Sequence, residues 1–168
     1  MKRRTALGVL AAGLAGAWAL RWQAGRAPGG ALAAEDAPAV TPLRLSEAEW
    51  RRRLTDQEYR ILREAGTEPA GSSPLLKETR AGTYLCAGCG LALFRSEWKY
   101  DSGTGWPSFF EVLHEHIGTQ RDWSLVIPRT EYHCARCGGH QGHVFDDGPE
   151  PTGKRYCNNG AALDFEPA

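Results

Sequence analysis

Methionine is all but missing from this chain. Met1 is the only one in 168 residues, so the body of the protein offers oxidants no thioether of its own. A basic surplus is missing too. Lys+Arg and Asp+Glu both number 20, which removes the electrostatic basis for nucleic acid as a partner. No apolar run reaches the roughly 20 residues of a membrane-spanning helix; the amino-terminal one, residues 5–20, has 16. There is no long internal repeat and no low-complexity segment, which excludes a solenoid. The cysteines are few and odd in number, five, so they cannot all pair within one chain. What remains is ordinary for one globular domain: 42% hydrophobic and 24% charged residues.

Residues 1–34 read as an export signal. Met1-Lys2-Arg3-Arg4 opens it, the apolar stretch follows, and Ala31-Leu32-Ala33 offers small residues for cleavage. Arg3-Arg4-Thr5-Ala6-Leu7 partly resembles a twin-arginine signal, a route that carries folded proteins and allows a metal to be loaded before export. The alternative is an uncleaved anchor facing the periplasm. Every basic residue of the segment precedes the first acid, Glu35, so its removal leaves 15 Lys+Arg against 20 Asp+Glu, a net charge of −5. Such a chain has little non-specific attraction to DNA or anionic lipid.

Residues 35–45, with Pro38 and Pro42, read as a linker to a domain over 46–168. Ser46 with Glu49 and Thr55 with Glu58 have capping-box spacing, which predicts short helices near 47–54 and 56–65, the second ending at Gly66. From Gly82 on, short β-type runs recur between Gly, Pro and Asp: 83–85, 91–94, 124–127, 132–133, 144–145, 155–156 and 162–165. The expected fold is mainly β, with helices confined to its front end.

Four cysteines form two knuckles, Cys86-Ala87-Gly88-Cys89 and Cys134-Ala135-Arg136-Cys137, each followed by glycine. Paired knuckles are the ligand set of a structural tetrahedral Zn2+ site with no position left for substrate. With 44 residues between Cys89 and Cys134, the fold must bring them together. Two small-loop disulfides are the weaker alternative. Cys157 is left over in Arg155-Tyr156-Cys157-Asn158-Asn159. Locally it reads equally well as a reactive thiol beside Arg155 and as a small buried hydrophobe. His114 and His116 are expected at the surface, and His133 is not needed by a complete four-cysteine set. His140 and His143, in a glycine-flanked segment, are candidate general acids.

Three segments together resemble the methionine sulfoxide reductase B family: residues 99–109 with Gly105-Trp106-Pro107-Ser108-Phe109, residues 142–149 with Gly142-His143-Val144-Phe145, and residues 155–159. With the helices and knuckles in the family's order, the likeness covers about residues 45–167. It implies a β-domain of two antiparallel sheets and reduction of the R epimer of methionine sulfoxide. It also implies Cys157 as nucleophile, Trp106 as a wall for the sulfoxide methyl group, and His140, His143 and Asn159 as polar active-site groups. Phe145 can complete the aromatic wall, Arg155 can favour the thiolate, and His143 is the preferred acid. The methionine-free body suits such a role.

One departure is chemical. Many family members carry a resolving cysteine where this chain has Thr104, and no sixth cysteine replaces it. A Cys157 sulfenic acid reduced directly by an external thiol is therefore expected. The partners that follow are oxidised proteins and, after export to the periplasm, a thioredoxin-like carrier; the chain is expected to act as a monomer. The rival readings are a zinc-stabilised binding module without turnover and a redox protein using the knuckles themselves.

Overall fold

The structure, a computed structural model, describes residues 40–168; the export segment and the start of the linker lie outside the described residues. Helices α1 (Glu47–Arg53) and α2 (Asp56–Glu64) begin where the capping boxes place them. Glu49 accepts the Ser46 N–H at 2.7 Å and Glu58 the Thr55 N–H at 2.8 Å, each cap being worth about 1 kcal/mol. Trp50, Tyr59, Ile61 and Leu62 form the buried faces. The end of α2 differs from expectation. The helix stops at Glu64 with Ala65 as its left-handed cap, and at Gly66 a Cβ would lie 2.9 Å from the Arg60 carbonyl.

Nine strands follow: β1 Gly82–Cys86, β2 Ala92–Arg95, β3 Lys99–Tyr100, β4 Ser108–Phe109, β5 Ile117–Asp122, β6 Arg129–Cys134, β7 His140–Phe145, β8 Arg155–Asn158 and β9 Leu163–Pro167. They make two antiparallel sheets, ordered β2-β1-β9 and β3-β4-β8-β7-β6-β5. An aromatic seam joins the sheets. Phe94 stacks on Phe109 with ring centroids 4.0 Å apart, and Tyr84 meets Phe109 edge-on at 4.9 Å. Tyr132 and Tyr156 continue the cluster. Such pairs add about 0.5–1.5 kcal/mol each beyond the area they bury. Helix α2 packs on β7, which places a helical support directly behind one wall of the site described below.

Two readings of the sequence are corrected. Residues 124–127 are not a strand but the tip of the β5–β6 connection, with no ladder partner; their β-branched character mimics a strand without the neighbour a strand requires. His116 is no free surface residue, because its Nδ1 lies 2.7 Å from the Ala92 carbonyl. The end of the linker is docked: Leu43 N–H donates to the Arg136 carbonyl at 2.7 Å, and Val40, Leu43 and Leu45 pack on the core. Among the described residues no helix is long and apolar enough to cross a membrane.

Candidate active site

Strands β7 and β8 are the platform. Their register sets His143 opposite Cys157 and Phe145 opposite Arg155. Side chains of paired residues share a face, and so do residues two apart on one strand. These four therefore project together, and all of them line one cavity of about 260 Å³ with Trp106, Thr104, Arg129 and Asn159. On its other edge β8 is bound by β4, where Cys157 faces Ser108. The Asn158 N–H donates to the Pro107 carbonyl at 2.9 Å.

His140 reaches the same face by an irregularity. Tyr132 pairs with Gly142 but His133 pairs with His140, so Gln141 is an extra residue in β7. A bulge of this kind reverses the alternation beyond it. His140 and His143, three apart, thus share a face with ring centroids 5.5 Å apart. His140 does not line the cavity. It lies behind His143, with Nδ1 at 2.6 Å from Glu131 Oε1 and a buried Nε2 that has no partner.

Burial pushes the Cys157 thiol above its ordinary range; the Arg155 charge is the largest opposing influence, followed by hydrogen bonds from Thr104 and Arg155. The expected thiolate-favouring role of Arg155 is thus present but does not win in the resting cavity. Arg155 is itself engaged, donating to both oxygens of Asp147 at 2.8 and 2.9 Å, with its guanidinium 4.3 Å above the Phe145 ring. Burial likewise lowers the pKa of His143, opposed by a hydrogen bond to Asp122.

The second centre lies where the two sheets' connections meet. Cys86 closes β1 and Cys134 closes β6, and the sulfurs of Cys86, Cys89, Cys134 and Cys137 all lie within 4.8 Å of one another. Cys86 Sγ is 3.6 Å from Cys137 Sγ and Cys89 Sγ 3.5 Å from Cys134 Sγ, across the knuckles, and no disulfide joins any of them. Sulfurs at 2.3 Å from a tetrahedral metal stand about 3.8 Å apart. The cluster fits. Gly90 and Gly138 take the left-handed conformation, φ +72° and +68°, that closes each knuckle. Their N–H groups return to the Cys86 and Cys134 carbonyls at 2.7 and 2.8 Å. Gln141 Nε2 also approaches Cys86 Sγ at 3.4 Å, tying the cluster to β7.

The SelR domain family matches residues 54–167 of this chain. The chain belongs to that family. It is 56% identical to the peptide methionine sulfoxide reductase MsrB of Leifsonia xyli subsp. xyli over 124 residues, 73% of this chain and 89% of that protein. To the protein of the same name from Leptospira interrogans it is 51% identical over 122 residues, covering 72% and 93%. To that from Bradyrhizobium diazoefficiens it is 54% identical over 123 residues, covering 73% and 88%.

Three residues of this SelR domain escaped the sequence reading. Glu68, 2% exposed, is the most connected. Its carboxylate accepts the N–H groups of Gly160 and Ala161, its own N–H donates to Asn159 Oδ1 at 3.0 Å, and its carbonyl accepts Trp106 Nε1 at 3.1 Å. It holds the aromatic wall and the amide of the site at once. Asp122 and Glu131 hold the two histidines. None has a local signature, because each acts on residues far away in sequence.

Proposed function

We propose that this chain reduces methionine R-sulfoxide in peptides and proteins to methionine, with Cys157 as nucleophile and His143 as general acid. The observation that carries the reading is the cross-strand pair of His143 and Cys157 in a cavity walled by Trp106 and Phe145. The names and identities of the MsrB relatives support it.

Cys157 sulfur attacks the sulfoxide sulfur. With Nε2 bonded to Asp122, the proton His143 delivers to the departing oxygen is the one on Nδ1. The S–O bond breaks as the Cys157–substrate S–S bond forms; the released oxygen, as water, then bonds to the Cys157 sulfur, the S–S bond breaks to release methionine, and Cys157 is left as sulfenic acid. An external thiol condenses with it, releasing water and forming a mixed disulfide; a second thiol attacks that bond, releases Cys157 as thiol and leaves the two external sulfurs as a disulfide, having supplied the two electrons. Trp106 and Phe145 receive the methyl group, Asn159 completes the polar side, and His140, outside the cavity, backs His143. Arg155 restrains the pKa of the nucleophile. Thr104, beside Cys157, supplies no resolving sulfur. Zn2+ held by Cys86, Cys89, Cys134 and Cys137 would cross-link the sheets and take no part in the chemistry. Repair of oxidised proteins in the periplasm, served by a thioredoxin-like carrier, is the setting that the amino-terminal segment supports.

Single-turnover reduction of the separated R and S epimers by pre-reduced protein tests this, beside Cys157→Ser and with no recycling thiol. About one methionine per chain from the R epimer alone, and none from the variant, is expected. No product from either epimer with zinc bound would instead leave a binding module. Trapping with a sulfenic-acid reagent checks the intermediate; an oxidised form holding a disulfide at Cys157 before thiol is added would overturn it.

A further inference from the structure

Among the described residues the exposed large hydrophobic side chains are Trp123 (71% exposed), Leu125 (56%), Val126 (101%) and Ile127 (77%). All four stand in one six-residue connection, 123–128, between β5 and β6. Scattered exposed hydrophobics need no explanation, but a contiguous set on a polar surround marks a contact surface.

The stem beneath this tip is clamped. Asp122 and Arg129 are the last paired residues of the two strands. Arg129 donates to Asp122 Oδ2 at 2.6 Å, and Asp122 Oδ1 accepts the Ser124 N–H at 2.9 Å. The same clamp belongs to the site: Asp122 Oδ2 also meets His143 Nε2 at 2.7 Å, and Arg129 lines the cavity. The apolar tip therefore rises directly from the cavity rim.

From this continuity we infer that the 123–128 tip binds the polypeptide around an oxidised methionine, preferring apolar side chains next to the sulfoxide. The inference rests on the reductase reading and names its substrate class. A cavity of about 260 Å³ holds one side chain, so the rest of a polypeptide substrate lies over the rim. Apolar side chains there displace water from Leu125, Val126 and Ile127, a gain that a free amino acid cannot make. Unfolded segments, whose core methionines have apolar neighbours, are the occupants that fit. A lipid surface would meet the same side chains but gives no reason for the tip to be tied to the catalytic histidine.

The test compares three R-sulfoxide substrates: N-acetyl-methionine sulfoxide, a lysine-ended heptapeptide with leucine and valine flanking the sulfoxide, and the same peptide with serine and glycine. The wild-type protein should favour the apolar peptide. The Leu125→Ser, Val126→Ser, Ile127→Ser triple variant should lose about tenfold in kcat/KM for it through KM, about 1.4 kcal/mol, and keep its rate on the N-acetyl compound. Equal loss on all three substrates, or no preference between the peptides, would overturn the inference. So would an unchanged preference together with lost binding to phosphatidylcholine–phosphatidylglycerol vesicles, which would make the tip a membrane contact. Dye-labelled peptides titrated onto Cys157→Ser protein read docking without turnover. Wild-type failure on the N-acetyl compound with docking intact would sink the reductase reading alone.

Discussion

Nε2 of His143 lies 2.7 Å from Oδ2 of Asp122, the same oxygen that receives the Arg129 guanidinium at 2.6 Å. The carboxylate therefore serves one permanent cation and one histidine that can become a cation, and it is the main influence holding up a histidine pKa that burial lowers. On the proposed chemistry His143 is the general acid and must be protonated, so activity falls as pH rises through that pKa. Replacing Asp122 by Asn removes the counterweight, moves the falling limb to lower pH, and reduces turnover at pH 7 by about tenfold for each pH unit moved. A pH profile of kcat/KM on N-acetyl-methionine R-sulfoxide reads this. An unmoved limb would place the proton elsewhere.

The Cys157 thiol titrates above its ordinary range because burial outweighs Arg155. Alkylation of Cys157 by iodoacetamide should therefore rise with pH and reach its midpoint late. Arg155→Met removes the opposing charge, pushes the midpoint further up, and slows alkylation at pH 7 several-fold. Mass spectrometry of the peptide bearing Cys157 separates it from the other thiols. A faster-reacting variant would show that Arg155 acts by shielding the sulfur instead.

Glu68 accepts from Gly160 and Ala161, the latter at 3.0 Å, in a buried setting. Glu68→Ala leaves one buried and one partly buried N–H group without partners, at about 1–3 kcal/mol each. Urea unfolding should show a loss of about 2–5 kcal/mol with the m-value unchanged. A loss under about 0.5 kcal/mol would mean that water takes over both contacts.

The sulfur cluster predicts one zinc per chain by elemental mass spectrometry. Cys89→Ser, which removes a half-buried ligand, should bind far less metal and melt more than about 10 °C lower. Equal metal content in the variant would remove the cluster from the fold's support.

The knuckles and capping boxes were legible because each is a local pattern whose physics operates over three or four residues. The family likeness singled out Cys157, Trp106 and His143 together; the β7–β8 register sets 143 beside 157, and Trp106 lines the same cavity. Glu68, Asp122 and Glu131 were not legible. A carboxylate looks the same in sequence whether it faces water or accepts N–H groups about 90 residues away. The misread run at 124–127 has a related cause: β propensity describes fit to a neighbour, and here no neighbour stands alongside.

Cys157 sits on β8, an interior strand held by β4 on one side and β7 on the other. On the proposed chemistry, a sulfur fixed in this way cannot swing outward after oxidation to meet its electron donor. The donor must come through the opening that admitted the sulfoxide, and only after methionine has left. Substrate and reductant then share one doorway in turn. Steady-state rates at several fixed donor concentrations should plot as parallel double-reciprocal lines, and excess sulfoxide should slow regeneration by occupying the entrance.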